Sequence, residues 1–410
     1  MKTKIILLLI GSIVLGFKYI PGEKEKSISQ LEQTSRFYCA IGKGGTRVHT
    51  ERQQFKESFL FKQGTDGYHS FKVPAIIRTK RGTLLAFCEG IKKSSDDAIE
   101  RHVVYKRSMN NGTNWSDLEV LFSKEAGDCS SPTPVADMKT GDVFVFMSYQ
   151  DEQQNKAGKA PIRAGITKWG QRRVYLRTSL DDGQSWEDPQ DLTKTLLPRH
   201  YTWDIVGPGH GIQLQYGPKA ERLIVPALGR NIYSDNHGGS WRSQPIKSGT
   251  SEGTIVQLCN GDLLRNDRAE AGAFQARKRR QVSTSSNNGN SWSIWKSSED
   301  LIDSPGPGSL IRYNHSYPQR LVFINAATTL GGLVNQKKMT VKVSYDEGRT
   351  WPVERLLDAN NGGYSSLVRT EDNQIASVQE LRENNNRSSS IKFRRFNLSW
   401  VLNGKPEPVK

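Results

Sequence analysis

Hydrophobic and polar residues alternate in short runs along most of the chain. Arg172-Arg173-Val174-Tyr175-Leu176-Arg177 and Met339-Thr340-Val341-Lys342-Val343 put every second side chain on one face, as half-buried strands do. Asn-Gly and Asp-Gly pairs and 37 glycines punctuate the runs, which predicts many short strands and tight turns. No heptad run is present, so a coiled coil is excluded as the main architecture. One segment departs from the pattern. Lys2 and Lys4 precede an apolar stretch from Ile5 to Gly16. A basic start followed by about a dozen apolar residues reads as a secretory signal over residues 1–17, or as an uncleaved anchor. It is short for a spanning helix, which needs about 20.

A repeat organises the rest: Ser, any, Asp/Asn, any, Gly, any, Asn or small polar, Trp. It occurs as Ser108-Met-Asn110-Asn-Gly112-Thr-Asn114-Trp115, Ser179-Leu-Asp181-Asp-Gly183-Gln-Ser185-Trp186 and Ser234-Asp-Asn236-His-Gly238-Gly-Ser240-Trp241. Two more copies are Ser285-Ser-Asn287-Asn-Gly289-Asn-Ser291-Trp292 and Ser344-Tyr-Asp346-Glu-Gly348-Arg-Thr350-Trp351. The third residue can bond the turn's own backbone, Gly supplies a positive φ, and Trp plugs the turn from below. Calcium is the other reading of the aspartates. Asn fills the third place in three copies and no EF-hand glutamate follows, which favours a structural turn. The copies lie about 59 residues apart, so the span 55–400 accommodates six units of four strands. The expected fold is all-β, a six-bladed β-propeller over 55–400, preceded by a leader at 18–54 and followed by a tail at 401–410. The box tryptophans belong at its rim.

Composition changes this picture little. The chain has 410 residues, 35% of them apolar, which excludes wholesale disorder. Its net charge of +16 favours anionic partners. No zinc spacing, Walker loop or RNA-binding aromatic signature accompanies the charge, so nucleic acid is not the expected partner. Acidic glycans and membrane surfaces remain open, the membrane only if the N-terminal segment is uncleaved. Cys39, Cys88, Cys129 and Cys259 lack CxxC spacing and read as buried thiols or one or two bridges.

The boxes are Asp boxes, and the chain resembles the sialidase (neuraminidase) family of glycoside hydrolases from about Tyr68 to Glu380. Phe71-Lys72-Val73-Pro74 is similar to the family's Tyr/Phe-Arg-Ile-Pro motif, with lysine in the arginine's place. Leu84-Leu-Ala-Phe-Cys-Glu89-Gly90 and Val206-Gly-Pro-Gly-His210-Gly-Ile-Gln-Leu214 are similar to further family stretches. Asp boxes alone also occur in propellers of other function, so the ordered set carries the resemblance.

The resemblance implies a Tyr nucleophile, a Glu that activates it and an Asp acid/base, the tyrosine exception to the usual two-carboxylate glycosidase. The sugar's anomeric carbon bears a carboxylate, which repels an anionic nucleophile; a neutral phenol deprotonated during attack avoids that repulsion. By motif, Tyr364 in Gly363-Tyr364-Ser365-Ser366 is the nucleophile and Glu252 in Ser251-Glu252-Gly253-Thr254 its partner. Asp97 is the acid/base, with Asp96 the neighbour that a one-residue slip would select. Glu89 and Asp96 are further pocket candidates.

Three arginines grip the substrate carboxylate in the family, because guanidinium forks give paired charge-assisted bonds. Here Arg268 matches one, Lys72 replaces the first and Gln336 the third, with Lys337 or Lys338 as alternative sources of charge. Ile91 stands where the family often has another arginine. The expected activity is an exported exo-α-sialidase acting with retention on a terminal sialic acid or related 2-keto acidic sugar, without metal or cofactor. Two alternatives stand beside it: a sialidase-like propeller that binds acidic glycans with little turnover, and a glycosidase or lyase for another uronate-bearing glycan. Retention of the trio favours the enzyme; the altered arginines favour its rivals.

Overall fold

Because the turns are short, most strands pair with the strand before them, and the chain builds antiparallel sheets in sequence order. The computed structural model describes residues 45–47, 49–93, 100–125, 127–151, 166–246, 250–269, 278–304, 306–329, 336–360, 362–383 and 388–409. The expected signal at 1–17 and Asp96 and Asp97 lie outside these residues. The described strands all fall within one compact unit, Tyr38–Lys410.

A small sheet pairs β1 (Gly45–Arg47) with β26 (Glu407–Val409). β2 (Phe55–Phe61) is the outer strand of the last blade, which continues through β25 (Ser388–Phe396) and β24 (Ile375–Glu383) to β23 (Gly362–Arg369). Between these lie β3 (Ser70–Arg78), β4 (Leu84–Ile91), β5 (Arg101–Ser108), β6 (Glu119–Phe122), β7 (Asp128–Ala136), β8 (Val143–Gln150), β9 (Arg173–Ser179) and β10 (Gln190–Asp191) in one sheet of eight strands. Three further blades have four strands each. They are β11 (Ile212–Gln213) to β14 (Arg242–Pro245) through β12 (Leu223–Ala227) and β13 (Arg230–Ser234); β15 (Thr250–Gln257) to β18 (Lys296–Ile302) through β16 (Leu263–Ala269) and β17 (Arg279–Ser285); and β19 (Ser309–Asn314) to β22 (Val353–Asp358) through β20 (Arg320–Ala326) and β21 (Met339–Ser344).

The all-β expectation holds, but the count of six blades is corrected. The described residues form four discrete four-stranded blades, and the remaining strands of the expected propeller make one continuous sheet. The cause is local: β5 and β7 pair in parallel at Arg101 and Asp128, and the Arg101 amide donates to the Gly127 carbonyl at 3.2 Å. Box spacing counts hairpins and has no access to such a bridge.

The boxes hold the blades to one another. In all five, the serine hydroxyl accepts from the glycine amide at 2.8–2.9 Å and donates to the Asp or Asn. That side chain accepts in turn from the amide four residues on, at 2.8–2.9 Å. The glycines have φ of 77–89°, as the turn requires. Close packing adds a second reason for glycine. A Cβ on Gly238 would collide with Phe144 of β8, and one on Gly112 with Phe393 of β25. Trp241 stands edge-on to Phe144 and Phe146 at 5.3 and 4.8 Å, and Trp115 edge-on to Phe393 at 5.2 Å. Trp241 and Trp115 therefore fill seams with adjoining sheets as well as their own turns, whereas Trp186 stands edge-on to Phe87 and Tyr105 of its own eight-stranded sheet.

Charge is buried in the body of the fold as well. Arg280, in the densest basic cluster of the sequence, is wholly buried and bonds Asn266, Asp303 and the Gly306 carbonyl. Glu407 is buried against Arg320 at 2.6 and 2.7 Å, which fastens the residues read as a tail. Cys88 and Cys129 are free and buried, whereas Cys259 is disulfide-bonded.

Candidate active site

The inner strands adjoin around a centre: β23 packs beside β3, β3 beside β7, β15 beside β19 and β19 beside β23. Four of them break register at one level. The shifts lie between Lys72 and Ala75 in β3, Ser130 and Thr133 in β7, Ser251 and Gly253 in β15, and Gly362 and Ser365 in β23. A bulge turns an extra side chain out of the ladder, and such devices re-aim residues beside active sites. Val73, Ser131 and Glu252 also have positive φ, of 52, 58 and 40°. That region is costly for a β-branched residue such as valine, so strain is concentrated where the bulges meet.

The bulges surround a cavity of about 390 Å³ whose lining includes Lys72, Glu89, Arg101, Arg172, Trp203, Glu252, Tyr364, Glu380 and Arg382. Tyr364 and Glu252, 112 residues apart in sequence, meet at its floor: the phenol donates to Glu252 Oε1 at 2.6 Å. Arg268 donates to the other oxygen, Oε2, at 2.6 Å. Glu252 thus bridges a phenol and a guanidinium. Burial first, and then the Glu252 charge, push the Tyr364 phenol well above its usual pKa, with Arg268 opposing. The ring is neutral at rest, and its proton already lies on the line to a carboxylate.

Lys72 lines the cavity, and burial pulls its ammonium below the ordinary lysine pKa, opposed by the Glu380 charge and reinforced by Arg101 and Arg382. Glu380 accepts from Arg382 Nε at 2.8 Å and from the Val73 amide at 3.4 Å, so it ties Arg382 to the Lys72 bulge. Glu89 is buried; it accepts from Arg101 at 3.0 Å and from the Ser131 amide at 2.8 Å, and burial raises its carboxyl pKa against the Arg101 charge. Arg172, also buried, bonds Gln150 and Ser130 at 2.8 Å and lies 4.6 Å from the Trp203 ring centre.

Gln336 is placed differently. It is fully buried, packs against Gly306, accepts the Gly362 amide on its carbonyl at 2.7 Å and is not part of the lining. Lys337 and Lys338 are exposed and do not line the cavity either. The sequence reading missed Arg101, Arg172 and Arg382. Arg101 had a signal, since it pairs across the sheet with Ile91, where the family often carries an arginine. Arg382 lies two residues past the end of the resemblance, and Arg172 was read only as part of an alternating strand. The described residues flanking Asp96 and Asp97 close on each other, the Lys92 amide donating to the Glu100 carbonyl at 3.1 Å. Among the described residues no cluster of His, Cys, Asp and Glu is suited to a metal ion.

A family model described as a BNR repeat-like domain matches residues 82–376. The chain is 36% identical over 366 residues to an exo-alpha-sialidase of Aspergillus fumigatus, covering 82% of this chain and 86% of that protein. It is 28% identical to a sialidase of Micromonospora viridifaciens, over 87% of this chain and 55% of that one. Among solved structures, the Hadza microbial sialidase Hz136 superposes with a TM-score of 0.70 at 22% identity, over 84% of this chain and 68% of that one, a likeness of fold.

Proposed function

Because the chain belongs to the exo-α-sialidase family of BNR-repeat glycoside hydrolases, we propose that it releases a terminal α-ketosidic sialic acid, or a related 2-keto acidic sugar, with retention through a tyrosyl intermediate. The observation that carries this reading is the chain of bonds Tyr364–Glu252–Arg268, two of 2.6 Å, on a cavity floor. Glu252 takes the phenol proton as Tyr364 Oη attacks the anomeric carbon, so the nucleophile becomes anionic only as its charge passes into the new bond. Arg268 keeps Glu252 oriented through its bond to Oε2. Asp97 protonates the leaving glycosidic oxygen and then deprotonates the water that displaces Tyr364 from the anomeric carbon, while Glu252 returns the proton to the phenol oxygen.

The carboxylate of the sugar is drawn to the positive side of the cavity, where Lys72 and Arg382 line the wall and Arg268 adds charge from beside Glu252. Gln336, behind the wall, has no direct part in this version of the grip. Its substrates are sialylated or otherwise acidic glycans, met outside the cell if residues 1–17 export the chain. Proton NMR of sialoside turnover tests the assignment: the α-anomer appears first under retention, and first appearance of the β-anomer excludes the tyrosyl route. Mass spectrometry after inactivation by a 2,3-difluorosialic acid then has to find the adduct on Tyr364. The binding-module alternative rests on the altered arginines, and it prevails if the protein retains acidic glycans without turning them over.

A further inference from the structure

At the far ends of the same inner strands lies a second cavity, of about 510 Å³. β3 gives Lys72 and Val73 to the first cavity and Ile76, Ile77 and Arg78 to the second, while β23 gives Tyr364 to the first and Leu367, Val368 and Arg369 to the second. At ~3.3 Å per residue, about 10 Å of strand separates Val73 from Ile76 and about 17 Å separates it from Arg78, so Arg78 stands well away from the first cavity.

The charge on this second mouth is one-sided. Arg78, Lys139, Arg312 and Arg369 line it against a single carboxylate, Glu221. Two of the four cations are already matched, Arg312 by Glu347 at 2.5 Å and Lys139 by Glu221 at 3.3 Å. Arg78 and Arg369 are not. Neither makes a salt bridge among the described residues, and they stand on adjoining strands that the Ile76 amide ties to the Ser366 hydroxyl at 3.3 Å; burial first, and then the Arg369 charge, lower the pKa of Arg78, with Glu371 opposing. Arg369 bonds Asn373 and lies near the Tyr313 ring, but its Nε is buried without a hydrogen-bond partner. Two like charges on adjoining strands, half-buried and without an ion-pair partner of their own, repel one another, and an anion held between them relieves that repulsion. Guanidinium forks bind oxyanions in pairs of charge-assisted bonds, and two of them match a doubly charged group.

We propose that this second mouth is an anion site in which Arg78 and Arg369 together hold a phosphate or sulfate group, either the free ion or the ester of a small sugar. The site is independent of hydrolysis, because Tyr364 and Glu252 lie at the other end of the strands. It also gives part of the chain's surplus positive charge a use apart from sugar cleavage.

Calorimetric titration of the full chain with inorganic phosphate, with sulfate and with glucose 6-phosphate tests this, against sodium chloride of matched ionic strength. The expected result is saturable one-to-one binding, weakened at least about tenfold in Arg78→Gln and in Arg369→Gln, since each removes a charge-assisted contact. Phosphate should raise the melting temperature of the wild type and of neither variant. Both variants, losing a repulsion, should melt no lower than the wild type in anion-free buffer and should cleave sialosides at the wild-type rate. Tighter binding of the sugar phosphate supports the site and identifies the ester as its ligand; equal binding supports it with the free ion. Absence of binding above the chloride control, or binding unchanged in both variants, overturns the proposal even if hydrolysis is intact. If Arg78→Gln does not fold, Arg369→Gln alone decides.

Discussion

The rim and the central cavity are built by opposite means: the boxes close the turns after β5, β9, β13, β17 and β21, and the cavity is drawn from the bulges of β3, β7, β15 and β23. At the rim, five boxes repeat one set of bonds at nearly one set of distances, and every group in a box lies within a span of eight residues. At the cavity, four inner strands abandon their register, three non-glycine residues take positive φ, and the bond that matters joins residues 112 apart. The rim is local: its positive-φ residues, Asn111, Asp182, His237, Asn288 and Glu347, each sit beside a box glycine inside a turn and not inside a strand, and its tryptophans help to pack the sheets. The cavity is non-local and strained, and draws its positions from that packing. Strain of this kind persists only where the surroundings over-determine it.

The sharpest way to break the comparison is to remove chemistry from the cavity while leaving the rim intact. Tyr364→Phe deletes one oxygen and keeps the ring. On the proposed mechanism kcat should fall by about 10³-fold or more, with the melting temperature nearly unchanged. Steady-state and single-turnover kinetics on a fluorogenic sialoside check it. A loss below about tenfold would remove Tyr364 from the nucleophile's role.

That contrast also decides what was legible in the sequence. Ser108 to Trp115 and its four counterparts could be read as turns because the signal and the structure share the same few residues. Tyr364, Glu252, Arg268 and Lys72 could be placed only through motifs. Nothing in the spacing of Glu252 and Tyr364 says that two bulges aim them at each other. Gln336 shows the limit of that method: its motif position put it in the grip, and the fold puts it behind Gly306. Arg382 shows the converse, a cavity cation beyond the matched stretch that only the Glu380 contact reveals. The merged eight-stranded sheet escaped for a related reason, since one parallel pair between Arg101 and Asp128 leaves no periodic trace.

Rim glycines should be far less replaceable than their turns alone require. Gly238→Ala faces both a φ of 83° and a collision with Phe144. It should cost about 2–4 kcal/mol, the range of overpacked and strained core sites. Gly170 has the same φ of 83° with no heavy atom within 4 Å of the added Cβ. Gly170→Ala should therefore cost only the backbone term, roughly 1–2 kcal/mol. Denaturant melts of the pair separate seam from turn; equal losses would mean that the box glycine serves its turn alone.

A smaller effect is expected at Lys72. Burial lowers its pKa, so the ammonium loses its proton at lower pH than an ordinary lysine. Affinity for a substrate carboxylate should then weaken as pH rises through that lowered value. Lys72→Arg holds its charge throughout and should flatten the alkaline rise of KM, with a change of about tenfold or less at neutral pH, one charge-assisted bond being at stake. Gln336→Arg, placed behind the wall, should add nothing to this. An alkaline limb identical in wild type and Lys72→Arg would assign the titration to another group.

The smallest effect returns to the rim, where nature has already varied one atom. Desolvation favours the neutral form of Asp181, but hydrogen bonds from the Ser185 hydroxyl and amide, from Ser179 and from the Gln184 amide outweigh it and hold the carboxyl at about 2. The native pKa lies below the ordinary carboxylate value, so the charge stabilises the fold above about 4, and that gain is lost as pH falls through about 2. Asn236 makes the corresponding bond to the Ser240 amide at 2.9 Å without titrating. Asp181→Asn should therefore remove part of the acid dependence between these two values. Because Asp181 is only partly buried and is screened by solvent, the change at neutral pH should be only about 1–2 °C in melting temperature. Thermal melts of both proteins from pH 2 to 7 test this. If their difference does not narrow as pH falls, the carboxylate contributes no more to its box than the amide does elsewhere on the rim.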